Sequence, residues 1–202
     1  TFTADNSLIE GNEIGQEIYG GVLNERIYGY GGNDKIYGGE GNDLIRGGDG
    51  DDELYGGSGD DLLIDGGGND KFYGEEGDDI IQLTGSSFNL IDGGEGIDTL
   101  SLGEGINLSE LDFIGKVVNI ERIDLVTGDA GTTLSLNEDS VLSMLEDSNN
   151  IIRIEGDYND TLLLEGASKN NQITNIPEGY VAYSWNDMNI AIVVNENIDI
   201  IT

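Results

Sequence analysis

From Gly11 to Gln82 an apolar residue returns at every ninth position: Ile18, Ile27, Ile36, Ile45, Leu54, Leu63, Phe72 and Ile81. The blocks that carry them begin at residues 11, 20, 29, 38, 47, 56, 65 and 74. In the clearest, GGEGNDLIR, GGDGDDELY and GGSGDDLLI over 38–64, glycine holds positions one, two and four, and aspartate holds position six. This period predicts a six-residue turn, made possible by glycines that tolerate positive φ and close backbone approach, followed by a three-residue strand. In so short a strand the middle side chain points opposite to its neighbours, so position eight faces inward and positions seven and nine face out. One nonad reverses the chain and two complete a coil. Residue i then stacks on residue i+18, and two parallel sheets enclose a thin aliphatic interior.

A further block, GGEGIDTLS at 93–101, returns after the degenerate stretch LTGSSFNLI (83–91) and a one-residue slip. The roll is therefore expected over residues 1–101 and a second domain over 102–202, where the glycine rhythm fades. Alternation in VVNIERIDLV (117–126), TTLSL (132–136), IIRIE (151–155) and TLLLE (161–165) predicts strands, and YVAYSW with MNIAIVV predicts a hairpin around Asn186 and Asp187. One short helix is expected after Asn137 as its cap, with Glu138 and Asp139 in the first turn and Val141, Leu142 and Leu145 on one face. The fold class is all-β: a parallel β-roll, then a mostly β C-terminal capping region with one short helix. A solenoid end exposes unpaired groups, which a cap would cover.

The outward positions predict two different faces. On one, EIY (17–19), KIY (35–37), ELY (53–55) and KFY (71–73) stack Tyr19, Tyr37, Tyr55 and Tyr73 beside alternating Glu17, Lys35, Glu53 and Lys71. Both ladders are favourable pairings in a solvated sheet, with an aromatic binding strip as the alternative. On the other, RIY (26–28), LIR (44–46), LLI (62–64) and IIQ (80–82) become apolar toward the later coils. Leu62, Ile64 and Ile80 are expected to be covered by the C-terminal half.

Composition decides what must hold such a roll together. With 33 Gly, 1 Pro and a formal charge of -33, the chain would read as disordered were it not for the inward column. Self-repulsion on that scale requires a cationic partner. Nucleic acid and anionic membrane surfaces do not fit 8 Lys and Arg, no apolar run is long enough to span a membrane, and no cleavable signal is visible. The absence of Cys and His removes disulfides, Ser-His-Asp catalysis and the usual zinc donors. Position-six acids stack along two edges, Asp43, Asp61 and Asp79 on one and Asp34, Asp52 and Asp70 on the other. Carboxylates at strand spacing, about 4.8 Å, repel unless a cation lies between them. Calcium accepts six to eight oxygens in flexible geometry, matching carboxylates combined with glycine-rich carbonyls.

Blocks such as GGEGNDLIR and GGSGDDLLI match the pattern G-G-x-G-x-D-x-U-x at every defined position, and over residues 11 to 101 the chain resembles the RTX calcium-binding nonapeptide-repeat family. The resemblance implies a calcium-bound parallel β-roll in a protein exported by type I secretion and folded outside the cell, secreted or on the bacterial surface. The metal ligands it implies are Asp34, Asp43, Asp52, Asp61, Asp70, Asp79 and Asp98 with backbone groups of Gly29, Gly31, Gly38, Gly41, Gly47, Gly50, Gly56, Gly59, Gly74 and Gly77. About four to six ions are expected from the stacked turns. Gln16 and Glu25 depart from the motif at position six. NIERIDL, TLSL, DSVLSML, GDYNDTLLLEG and the final hairpin resemble the C-terminal region of large RTX adhesins. That would place an export signal, read by the transporter complex, near the C-terminus. The opening at Thr1 suggests a segment with further domains upstream. The module is expected to be non-catalytic. The alternatives are the RTX tail of a secreted protease or lipase and a ligand-binding adhesin module using the tyrosine ladder. The outward Thr-Gly-Asn array of the family's ice-binding repeats is absent, position three carrying no Thr from Val22 to Glu76, so ice binding is not expected. Asp157 and Asp160 in GDYND are expected to form a simple turn in preference to another calcium site.

Overall fold

The computed structural model describes residues 7–103, 105–109, 113–125, 131–144, 151–157, 159–169, 178–184, 191–195 and 197–202. The chain divides into two compact units, Thr1–Thr99 and Leu100–Thr202.

In the first unit the chain alternates between two parallel sheets. One runs in the order β1 (Ser7–Asn12), β3 (Glu25–Gly31), β5 (Leu44–Asp49), β7 (Leu62–Ile64) and β9 (Ile80–Leu83). The other runs β2 (Glu17–Gly21), β4 (Lys35–Glu40), β6 (Glu53–Ser58), β8 (Asp70–Glu76) and β10 (Phe88–Glu95). Pairing follows the eighteen-residue offset, with Ile18 beside Ile36, Ile36 beside Leu54 and Leu54 beside Phe72. The position-eight side chains from Ile27 to Ile81 are fully buried, and Ile18 is 7% exposed. The slip is absorbed within β10 as an irregularity between Phe88 and Leu90, after which Ile91 pairs with Phe72.

Most strands are longer than three residues. β4 and β6 continue through positions one to three, so that Gly39 pairs with Gly57. Glycine there supports an extended backbone whose ladder survives the corner, because position one points into the roll. A Cβ on Gly38 would lie 2.4 Å from the carbonyl oxygen of Gly56 and 3.1 Å from Ile45 Cδ1. The inward set is thus positions six, eight and one: acid, aliphatic, glycine.

The outward ladders form as the period predicts. Tyr19, Tyr37, Tyr55 and Tyr73 stack with ring centroids 5.0, 4.8 and 4.6 Å apart and interplanar angles of 5°, 17° and 8°. Glu53 bridges Lys35 at 3.2 Å and Lys71 at 2.8 Å. The expected shielding of the opposite face fails at Ile80, which is 43% exposed, and is only partial for Leu62 and Ile64, both half-buried. In their own sheet Leu62 lies between Leu44 and Ile80.

The second unit is also largely parallel. β14 (Arg122–Leu125), β16 (Ile151–Glu155) and β20 (Ala191–Asn195) form one parallel row. β12 (Asn107–Leu108), β15 (Thr133–Leu136), β17 (Thr161–Leu164) and β21 (Asp199–Ile201) form another. The expected hairpin is β19 (Tyr180–Ser184) antiparallel to β20; its connecting residues, 185–190, lie outside the described set. VVNIERIDLV is two strands, β13 (Val117–Val118) and β14, because Asn119 adopts φ 54° between them. The helix α1 (Glu138–Met144) is capped reciprocally: Asn137 Oδ1 accepts from the Ser140 amide and the Asn137 amide donates to Ser140 Oγ, both at 2.9 Å. It buries Val141 and Met144, while Leu142 is 40% exposed, correcting the expected face; Leu145 lies outside the described residues. Among the described residues no helix is long and apolar enough to cross a membrane.

Two alanine substitutions test the corner geometry. At Gly56 a Cβ would meet Asp61 Oδ2 at 2.4 Å and the Gly74 carbonyl oxygen at 2.7 Å, whereas at Gly67 the only neighbour is Asp49 Oδ1 at 3.3 Å. Gly56→Ala is expected to destabilise the calcium-loaded protein by about 1–3 kcal/mol. Gly67→Ala should stay within roughly 0.5 kcal/mol of the parent, both read by urea denaturation.

Candidate metal centre

Each nonad turn brings its position-six side chain to the inner edge of the roll, two residues before the buried aliphatic one. Asp34, Asp43, Asp52, Asp61, Asp70, Asp79 and Asp98 are all at most 3% exposed. One carboxylate oxygen of each is committed to the neighbouring coil. Asp34 Oδ1 accepts the Gln16 amide, Asp52 Oδ1 the Asp34 amide and Asp70 Oδ1 the Asp52 amide, each at 2.8 Å. On the other edge Asp43, Asp61, Asp79 and Asp98 accept in the same way from Glu25, Asp43, Asp61 and Asp79 at 2.7 to 2.9 Å.

The second oxygen has a different fate. Oδ2 of Asp34, Asp43, Asp52, Asp61 and Asp79 is buried with no hydrogen-bond partner. A buried carboxylate oxygen with nothing to bond is costly in an apolar setting. Burial accordingly pushes Asp52 and Asp61 up to about 7 and Asp43 and Asp79 up to about 6, and it raises Asp34 as well.

The position-one glycines lie directly against these oxygens. The point a Cβ on Gly29 would occupy is 2.5 Å from Asp34 Oδ2 and 2.4 Å from the Gly47 carbonyl oxygen. Gly38 faces Asp43 Oδ2 and the Gly56 carbonyl in the same manner, while Gly47, Gly56 and Gly74 face Asp52, Asp61 and Asp79 at 2.3 to 2.4 Å. A side chain there would collide with a carboxylate and, at Gly29, Gly38, Gly56 and Gly74, with a carbonyl of the next coil as well. At position four Gly41, Gly50, Gly59 and Gly77 hold φ of 113°, 135°, 125° and 140°. Gly31 differs, since the left-handed residue of its turn is Gly32, at φ 89°. Carbonyls at the equivalent position three, those of Ser58, Gly67 and Glu76, already accept from the Gly41, Gly50 and Gly59 amides.

The arrangement suits a hard cation bound by oxygens. Among the described residues no three acidic side chains converge on one point. Ligation would therefore combine single carboxylate oxygens with backbone carbonyls from adjacent turns, a donor set that calcium accepts and that softer metals do not favour.

Several turns satisfy themselves instead. Gln16 Oε1 accepts the Asn12 amide at 2.8 Å and Glu25 Oε2 the Gly21 amide at 3.0 Å, so the longer side chains fold back onto their own turns. Asp70 is bonded by the Gly66 amide as well as by Asp52, although burial still raises it to about 6. Its nonad has Asp65 at position one in place of glycine, and Asp65 is itself held by the Thr84 amide and hydroxyl at 2.6 and 2.5 Å. In GDYND, Asp160 accepts the Thr132 amide through Oδ1 at 2.9 Å and the Asp157 amide through Oδ2 at 2.8 Å, which closes it as a turn.

Position five went unread in the sequence. Asn24, Asn33, Asn42, Asp51, Asp60 and Asp78 each accept, through Oδ1, an amide from the following coil at 2.8 to 3.2 Å. The signal was present in the unbroken Asn or Asp at that position from Asn24 to Asp78.

The family described as RTX calcium-binding nonapeptide repeat (4 copies) matches residues 19–54, 55–82 and 83–108. No curated protein matches the chain.

Two measurements follow from the oxygen assignments. Asp61→Asn, which replaces an unpartnered oxygen, should lower the number of calcium ions bound in isothermal titration calorimetry. Asp70→Asn should leave that number unchanged. The pH dependence has a definite sign, because these carboxyls are raised in the fold above their unfolded range near 4. Folding of the metal-free chain takes up protons, so its stability is greatest below about 4 and is lost as pH rises through 6 to 7. Strand signal in far-UV circular dichroism should therefore appear without calcium at about pH 4.5 and vanish at pH 8, while the calcium midpoint should rise as pH falls from 8 to 6.

Proposed function

We propose that this segment, whose residues 19–108 are RTX calcium-binding repeats, is a calcium-triggered folding module at the C-terminal end of a secreted or cell-surface adhesin exported by type I secretion. The observation that supports it is the set of buried aspartate oxygens without partners. In a low-calcium cytosol those carboxylates, within a chain of net charge -33, disfavour the coiled state and leave the polypeptide threadable. Outside the cell, calcium binds the folded state alone, and its binding free energy becomes folding free energy. Folding after exit opposes backsliding.

In this reading residues 1–101 are the roll and 102–202 the cap, with the signal for the transporter complex near the C-terminus. Asp34, Asp43, Asp52, Asp61, Asp79 and Asp98, with carbonyls of the position-one and position-four glycines, hold the ions. Asp70 contributes chiefly to the ladder. The module is non-catalytic. The tyrosine column is a poor ligand platform, because each interior ring is covered on both faces by its neighbours at 4.6 to 5.0 Å.

The test is far-UV circular dichroism of the chelated segment at pH 8, titrated with calcium and separately with magnesium. Strand signal is expected with calcium and not with magnesium, whose near-ideal octahedral demand these mixed turns do not meet. A chelated segment already folded at pH 8 would sink the trigger.

A further inference from the structure

We propose that the outward face of the first sheet carries a groove for a neutral saccharide, with the ring of Tyr30 as its stacking platform. The groove has a volume of about 810 Å³ and crosses β1, β3 and β5 and the turns that follow β7 and β9.

Tyr30 occupies position two of its nonad, where Gly39, Gly48 and Gly57 have φ of 116°, 115° and 116°. Tyr30 is held at φ 76°, a conformation that is strained for a bulky residue. Its ring is nevertheless 46% exposed, so the strain is not repaid by burial. Glu75 shares the backbone state, at φ 78°, but presents only a solvated carboxylate. The Tyr30 ring is also fixed in place: its hydroxyl donates to Glu10 at 2.5 Å, and the Tyr28 ring lies 6.3 Å away. An aromatic surface kept at conformational cost, oriented and open to solvent, points to a ligand.

The lining sets the class of that ligand. Tyr30 pairs with Gly48 in the next strand, and Gly66 and Thr84 line the groove beyond it. Missing side chains at Gly48 and Gly66 leave a trough of roughly 14 Å between Tyr30 and Thr84, at three strand spacings. Arg26 and Arg46 supply donors, and Glu10, Glu13 and Asp49 supply acceptors. An anion would face three carboxylates and a cation two guanidinium groups. An apolar molecule would desolvate them all without replacement. β3, β5 and β7 are paired on both sides, so a peptide cannot add as a strand there. A sugar ring offers a C–H face for Tyr30 and hydroxyls that both donate and accept, matching the mixed walls.

Saturation-transfer NMR on the calcium-loaded protein tests this, using the methyl glycosides of glucose, galactose, mannose and N-acetylglucosamine as probes. Transfer to at least one of them is expected. Tyr30→Gly restores the residue the repeat places at position two, so it should keep or raise the thermal midpoint while weakening binding by about tenfold or more. Arg46→Ala, at an exposed site, should also weaken binding with an unchanged circular dichroism spectrum. No transfer to any of the four probes, or undiminished binding in either variant, would overturn the proposal. Calcium-dependent folding would be unaffected by either result.

Discussion

The roll depends on one inward-facing carboxylate per turn. Because positions six, eight and one all point inside, the acid of each turn shares the interior with the apolar residue two places on. Its first oxygen accepts an amide of the preceding coil, and its second has nothing to bond in the turns of Asp34, Asp43, Asp52, Asp61 and Asp79. That unmet oxygen makes the fold conditional, since a buried charge needs a cation or a proton before the hydrophobic column can close. The aliphatic interior is only one side chain thick per sheet, so it offers little surplus to carry such a cost alone.

The turns that escape this condition show how little chemistry separates the two cases. One extra methylene at Gln16 and at Glu25 lets the side chain reach back to an amide of its own turn. At Asp70 and Asp160 a backbone N–H from the same turn plays that part. Asp160 repeats the inter-coil bond of the nonads, with Thr132 as donor, in a unit whose coil lengths are irregular. The device of an aspartate joining successive coils does not itself require metal. What requires metal is a second oxygen left without an amide.

Much of this was legible because a fixed period multiplies weak signals. The inward column, the offset of eighteen and the tyrosine and Glu/Lys ladders followed from counting, since every stacked partner is named by its number. Strand length was misread because glycine signals a turn, whereas here Gly39 and Gly57 lie within paired strands. The internal closure of Asp70 depends on backbone placement around Asp65 that no motif states. In the second unit parallel partners lie 28 residues apart at Thr133 and Thr161 and 31 apart at Arg122 and Arg153, so no register could be counted. Ile80 shows the limit of a hydrophobicity argument, for a single exposed isoleucine on a sheet face needs no cover.

The two ladders at each turn run in opposite senses. At position six the earlier coil donates its amide to a carboxylate of the later one, as Asp34 does to Asp52; at position five the later coil donates to the earlier, as Asp51 does to Asn33. The inner ladder is the buried one, so its amides are the more costly to leave waiting. Assembly therefore has a preferred direction: a coil laid down before its C-terminal neighbour hides a donor with no acceptor, whereas one laid down after it finds the acceptor in place. For a chain whose C-terminal end emerges first, each new coil would be templated by the one already formed.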